Sequence, residues 1–194
     1  EGGAGAAAVI ADPRYGEIKP DWAFSLHNIP EIAFGVGRLG AGPANCASRG
    51  MEIRLTGSTA HASRPSDGRS PMKAMSELMP ALEACGSGTP LGHGFSMVTV
   101  THASMGAPTF GVAPGEAKVF ATLRTTADED MDGLTAKAET LVLDIASRHG
   151  LAHAWNYSEI FLACANHPEA TDLLLAGMER AGVKHEVQAL PLLG

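Results

Sequence analysis

Apolar and polar residues alternate over residues 51–55: Met51, Ile53 and Leu55 fall on one side, Glu52 and Arg54 on the other. A period of two marks a strand with one buried face. The period then changes. From Pro71, residues Met72, Met75, Leu78, Met79 and Leu82 share one face of a 3.6-residue repeat, so a helix begins at the proline. Pro80 predicts a kink or an early end. Residues 96–102 (SMVTVTH) and 117–123 (AKVFATL) read as two more strands, the second after a Pro114–Gly115 turn. The clearest helix is 128–149. It starts acidic, carries Leu134, Ala138, Leu141, Val142 and Ile145 along one stripe, and has Arg148 and His149 near its end before Gly150. Residues 153–159 form the last strand of this run.

The predicted order from 51 to 159 is therefore β-α-β-β-α-β, a ferredoxin-like arrangement: four antiparallel strands with two helices on one face. The rest of the chain has a different character. Residues 6–11 (AAAVIA) predict a short buried helix, and residues 22–26 (WAFSL), bounded by Pro20 and the turn His27-Asn28-Ile29-Pro30, predict a buried strand. A helix follows Pro168 over 169–181 and ends at Gly182, and 184–190 reads as a strand. The pattern fits a compact module at 47–159 inserted into a discontinuous α/β domain made of 1–46 and 160–194.

Composition narrows the function classes. The 194 residues are 45% hydrophobic but only 5% aromatic, so the core is built from aliphatic residues. A formal net charge of −7 argues against nucleic acid or an anionic membrane as partner. No apolar run reaches the roughly 20 residues that span a bilayer. Cys46, Cys85 and Cys164 are widely spaced and odd in number, which predicts reduced, mostly buried thiols in a cytoplasmic protein. The chain opens at Glu1 without a basic segment and stops on the apolar ALPLLG, so both ends read as cuts through a larger protein.

Two histidines stand out by position. His27 ends an apolar segment, and strand ends of α/β domains collect ligand-binding residues. His61 lies in LTGSTAHASRPSDGRSP, a turn of small residues between a strand and a helix. The other histidines, His93, His102, His149, His153, His167 and His185, form no metal-binding spacing. The acidic residues Asp128, Glu129, Asp130 and Asp132 read as a helix N-terminus.

The His61 turn closely resembles the lid turn of the M20 metallopeptidase and amidohydrolase family. DWAFSLHNIP resembles the strand end of its amidohydrolase branch, and the glutamate-glycine start, FGVAPGEA, TLRT and Asn166-His167-Pro168 follow in the family's order. The resemblance covers nearly the whole chain. It implies a partial zinc-peptidase-like catalytic domain with an inserted lid or dimerisation domain. It implies Glu1 and His27 as ligands of a pair of divalent metal ions, zinc or manganese. His61 would polarise the substrate carbonyl in the partner subunit's site, and Arg124 would hold a substrate carboxylate through a bidentate pair. Gly111 stands where the family usually has a substrate-contacting asparagine, and offers only backbone groups.

The implied activity is metal-dependent hydrolysis of the amide bond of N-acyl amino acids or related conjugates, by a homodimer paired through its lid. The family's remaining metal ligands would precede Glu1 and follow Gly194, so this chain alone is expected to be inactive. Two alternatives stay open: a peptidase of the same family, and a ferredoxin-like binding or dimerisation module without catalysis.

Overall fold

The computed structural model describes residues 4–30 and 32–193. In chain order the helices are α1 (Ala4–Ala11), α2 (Tyr15–Ile18), α3 (Met72–Glu83), α4 (Asp128–Arg148) and α5 (Pro168–Arg180). The strands are β1 (Val36–Leu39), β2 (Gly42–Asn45), β3 (Ala47–Thr56), β4 (Ala60–His61), β5 (Ser96–Met105), β6 (Val112–Ala113), β7 (Glu116–Thr125), β8 (Ala152–Phe161), β9 (Cys164–Asn166) and β10 (Lys184–Val187). A single 3₁₀ turn covers Pro65–Asp67. The chain divides into two compact units, one of residues 47–162 and one of residues 1–46 with 163–194.

The 47–162 unit is an antiparallel sheet in the order β5-β7-β3-β8, with α3 and α4 packed on one face. The alternation read from the sequence decides which side chains meet the helices. Met51, Ile53 and Leu55 of β3 and Val119, Ala121 and Leu123 of β7 are buried, opposite Leu78 and Leu82 of α3 and Leu134, Ala138, Val142 and Ile145 of α4. Burying each of the larger side chains contributes about 1.5–3 kcal/mol. Met72 lies outside this stripe and is 48% exposed, and Ala74 takes the buried place in the first turn of α3. Pro80 does not end the helix, which continues to Glu83. At 21 residues, α4 is about 32 Å long, matching ten-residue strands of roughly 33 Å.

Gly150 ends α4 with φ +63°, and the Leu151 amide donates back to the Ala146 carbonyl at 2.8 Å. Two edge strands carry irregularities. In β8 the register slips between Ser158 and Phe161, where Glu159 adopts φ +50°, and in β5 it slips between Val100 and His102.

The helix-free face of the sheet is polar. Glu52 accepts from Arg54 Nε at 2.9 Å and Asn156 Nδ2 at 3.1 Å, and Lys118 Nζ lies 3.8 Å away. On the helical side, Glu77 of α3 binds the end of α4: it accepts from Arg148 Nη2 at 2.5 Å and from His149 Nε2 at 3.0 Å.

In the other unit, β1 pairs in parallel with β10 and β2 pairs antiparallel with β9. Two expectations fail here. Residues 6–11 are helical as predicted but exposed, with Val9 at 57% and Ile10 at 64%. Residues 22–26 form no strand, since no neighbouring segment pairs with their backbone, and Leu26 is 93% exposed. Trp22 instead packs against the His167 ring at 5.0 Å. The thiols also differ from expectation: Cys46 is buried, Cys85 half-buried and Cys164 exposed. Among the described residues no helix is long and apolar enough to cross a membrane.

The Glu77 carboxyl is held at about 2, below its ordinary 4.5, chiefly by the Arg148 guanidinium and then by His149. A depressed carboxylate stabilises the fold fully above its unfolded value and loses that contribution as pH falls through the folded one. Glu77→Gln is therefore expected to lower the thermal midpoint at neutral pH, and its deficit against wild type is expected to shrink between about pH 4.5 and 2. Paired melting curves across that range check this.

Candidate functional site

The turn carrying His61 hangs from a crossing of three backbones. Gly57 leaves β3 and donates to the Gly115 carbonyl at 2.7 Å. Ser58 and Arg69 exchange two backbone hydrogen bonds, at 3.1 and 2.8 Å. A Cβ on Gly57 would fall on the Arg69 carbonyl oxygen and lie 2.8 Å from Leu151 Cδ2. A Cβ on Gly115 would lie 2.7 Å from the Thr59 amide nitrogen. These approaches leave no room for any side chain. Arg69 ties the crossing to the end of α4 by donating from Nη1 to the Gly150 carbonyl at 2.8 Å.

Beyond the crossing, β4 pairs with β6, setting Ala60 opposite Ala113 and His61 opposite Val112. The Ala62 amide donates to the Gly111 carbonyl at 3.0 Å, and Arg64 closes the turn onto the His61 carbonyl at 2.8 Å. The structure thus brings together His61 and Gly111, two of the residues singled out in the sequence. Nothing lies within 4 Å of the place a Gly111 Cβ would take, so this position faces open space.

His61 is exposed. Its Nδ1 lies 3.2 Å from the Ser63 amide and 2.8 Å from Ser63 Oγ. An amide N–H only donates, so Nδ1 is the acceptor and Nε2 bears the proton. The ring presents an N–H donor outward. Ser63 is the residue sequence reasoning missed; a hydroxyl two positions after the histidine was its only signal.

Arg124 occupies the opposite end of β7. It pairs with Ser48 and Met97, and alternation with buried Leu123 and Thr125 puts it on the helix-free face. Nine residue steps from Gly115, where the His61 turn is anchored, amount to about 30 Å. One chain does not bring Arg124 beside His61.

In the other unit, His27 is exposed and its Nδ1 lies 2.9 Å from the Asn28 carbonyl. A carbonyl only accepts, so Nδ1 is the donor, and in the neutral ring Nε2 keeps its lone pair. That is the form in which a histidine ligates a metal. Glu1 lies outside the described residues. Among the described residues no three His, Cys, Asp or Glu side chains gather into a metal-binding group, so these residues do not by themselves make a metal centre.

The model of the M20 peptidase dimerisation domain matches residues 44–149, more than half of the chain. The chain belongs to the M20 metallopeptidase and amidohydrolase family. N-acetyl-L-cysteine deacetylase of Bacillus subtilis (strain 168) is 34% identical over 125 residues, covering 64% of this chain and 29% of the deacetylase. Among solved structures, the aminobenzoyl-glutamate utilization protein of Klebsiella pneumoniae superposes with a TM-score of 0.67 at 22% identity, over 84% of this chain and 42% of that one. A dinuclear metal-binding M20 peptidase of Bacillus subtilis gives 0.63 at 18% identity, over 87% and 41%. This M20 chain therefore spans less than half the length of each of these relatives. The fold reading stands: a mixed α/β chain with the α+β lid of M20 proteins.

The space around Gly111 sets a direct test. Gly111→Asn, which adds an amide side chain in open space, is expected to leave unfolding stability within about 0.5 kcal/mol of wild type. By contrast, Gly57→Ala is expected to cost about 1–3 kcal/mol through overpacking against backbone that cannot yield. Urea unfolding of the two variants side by side distinguishes them.

Proposed function

We propose that this chain supplies the lid and part of the catalytic domain of a metal-dependent M20 amidohydrolase, which hydrolyses the amide bond of N-acyl amino acids or related conjugates. The observation that carries this reading is the His61 ring, held on an exposed turn with its Nε2–H outward. Attack of water on an amide carbonyl places negative charge on the carbonyl oxygen. A fixed donor aimed at that oxygen is worth about 2.7–4 kcal/mol in the transition state. The deacetylase relative, by its name, removes an N-acetyl group from an amino acid, which supports the substrate class.

Arg124 is assigned the substrate carboxylate, which a guanidinium binds through two parallel hydrogen bonds. Its position supports a dimer. His61 and Arg124 sit at opposite ends of β7, so the two serve one substrate when one protomer gives the arginine and its partner the histidine. The match to a dimerisation domain supports the same arrangement. Gly111, beside His61, leaves the substrate open space in place of a side chain, while its carbonyl and amide are held by the Ala62 amide and Thr109 Oγ1. Two divalent ions, zinc or manganese, are proposed for the complete enzyme. His27 and Glu1 would be among their ligands, and the rest would come from regions of the relatives that this chain does not span.

The test uses the complete gene product and a panel of N-acyl amino acids, after chelation and then with zinc, manganese or cobalt restored. Metal-restored turnover is expected, and His61→Ala is expected to lower kcat by about 10²–10³. Mixing His61→Ala with Arg124→Ala subunits should recover activity, since each mixed dimer keeps one site with both groups intact. No recovery on mixing overturns the shared site. A folded, metal-loaded protein with no turnover on any substrate favours a binding or dimerisation module.

A further inference from the structure

The ring of His61 is exposed, so its orientation is fixed by its own turn. Both contacts to Nδ1 come from one residue. The Ser63 amide at 3.2 Å is at the long limit of an N–H donor, while Ser63 Oγ at 2.8 Å is at a normal hydrogen-bond distance. The amide would be present with any residue except proline at this position; the hydroxyl belongs to serine. Were the proton on Nδ1, that N–H would face the Ser63 N–H, donor against donor. Nε2 would then turn a lone pair toward the reacting oxygen, where a lone pair repels developing negative charge.

We propose that Ser63 is a positioning residue: its amide selects the Nε2–H form of His61, and its hydroxyl, donating to the same Nδ1, holds the ring so that the Nε2–H is aimed out of the turn. This rests on the reading of His61 as the donor to the oxyanion. His27 supplies the contrast within the same chain. There the partner of Nδ1 is a carbonyl, and the opposite form results. The polarity of one neighbour decides whether each ring offers a proton or a lone pair.

The experiment is long-range ¹⁵N–¹H correlation on this chain with labelled histidine, at about pH 8.5. His61→Gln assigns the signal. Wild type is expected to show a pyridine-like Nδ1 and a pyrrole-like Nε2. Ser63→Ala, which removes the hydroxyl donor but keeps the amide, is expected to move Nδ1 further toward a free pyridine-like value while Nε2 stays pyrrole-like, and Ser63→Thr to restore the wild-type value. In the complete gene product, Ser63→Ala should lower kcat about tenfold, less than the 10²–10³ for losing the donor itself, with KM little changed and Thr rescuing. An unaltered His61 spectrum in a folded Ser63→Ala overturns the proposal whatever the activity. A shifted spectrum with unchanged kcat upholds the positioning role and overturns His61 as the oxyanion donor.

Discussion

Everything proposed for the lid depends on three backbone segments passing within van der Waals distance of one another. Gly57, Gly68 and Gly115 make this possible, since a Cβ on Gly68 would also lie 2.7 Å from the Ser58 carbonyl oxygen and 2.8 Å from Ala60 Cβ. The crossing joins the end of β3, the segment before α3 and the start of β7. Through Arg69 it reaches the end of α4 as well. A two-residue ribbon such as β4–β6 has little stability of its own. It holds position because its base is built into the core, which lets an exposed histidine be precise in a segment otherwise made of small residues.

Much of this was legible in the sequence, and the reason is periodicity. Met51, Ile53 and Leu55 announced β3, and the stripe from Leu134 to Ile145 announced α4, because each element buries one face against the other. Gly150 and Gly182 ended their helices as read, both with positive φ. The reading failed where an apolar run has no partner within the described residues. WAFSL has strand composition, but composition does not supply a neighbouring backbone. AAAVIA forms its helix by propensity, while its burial depends on surfaces that no local pattern encodes.

The candidate site was marked out in the sequence by position and not by chemistry. His61, Gly111, Arg124 and His27 could each be picked out, but which nitrogen of each histidine carries the proton could not. That is set at His61 by Ser63 and at His27 by a carbonyl, contacts of one or two residues' range that depend on the turn closing as it does. Nor could the sequence show that Arg124 and the His61 turn lie at opposite ends of one strand, since both follow from register.

The slips in β5 and β8 bear on how the sheet could grow. Each edge strand has one residue too many for a flat ladder, and in β8 the extra length falls at Glu159, a charged residue in a conformation that costs about 1–3 kcal/mol. A bulge bends and further twists the strand that carries it, so beyond Ser158 the edge offers another strand a less regular ladder. A sheet extended across β8 would use Ala152 to Ser158 and stop there. The same kink makes the edge a poor template for unlimited stacking of strands.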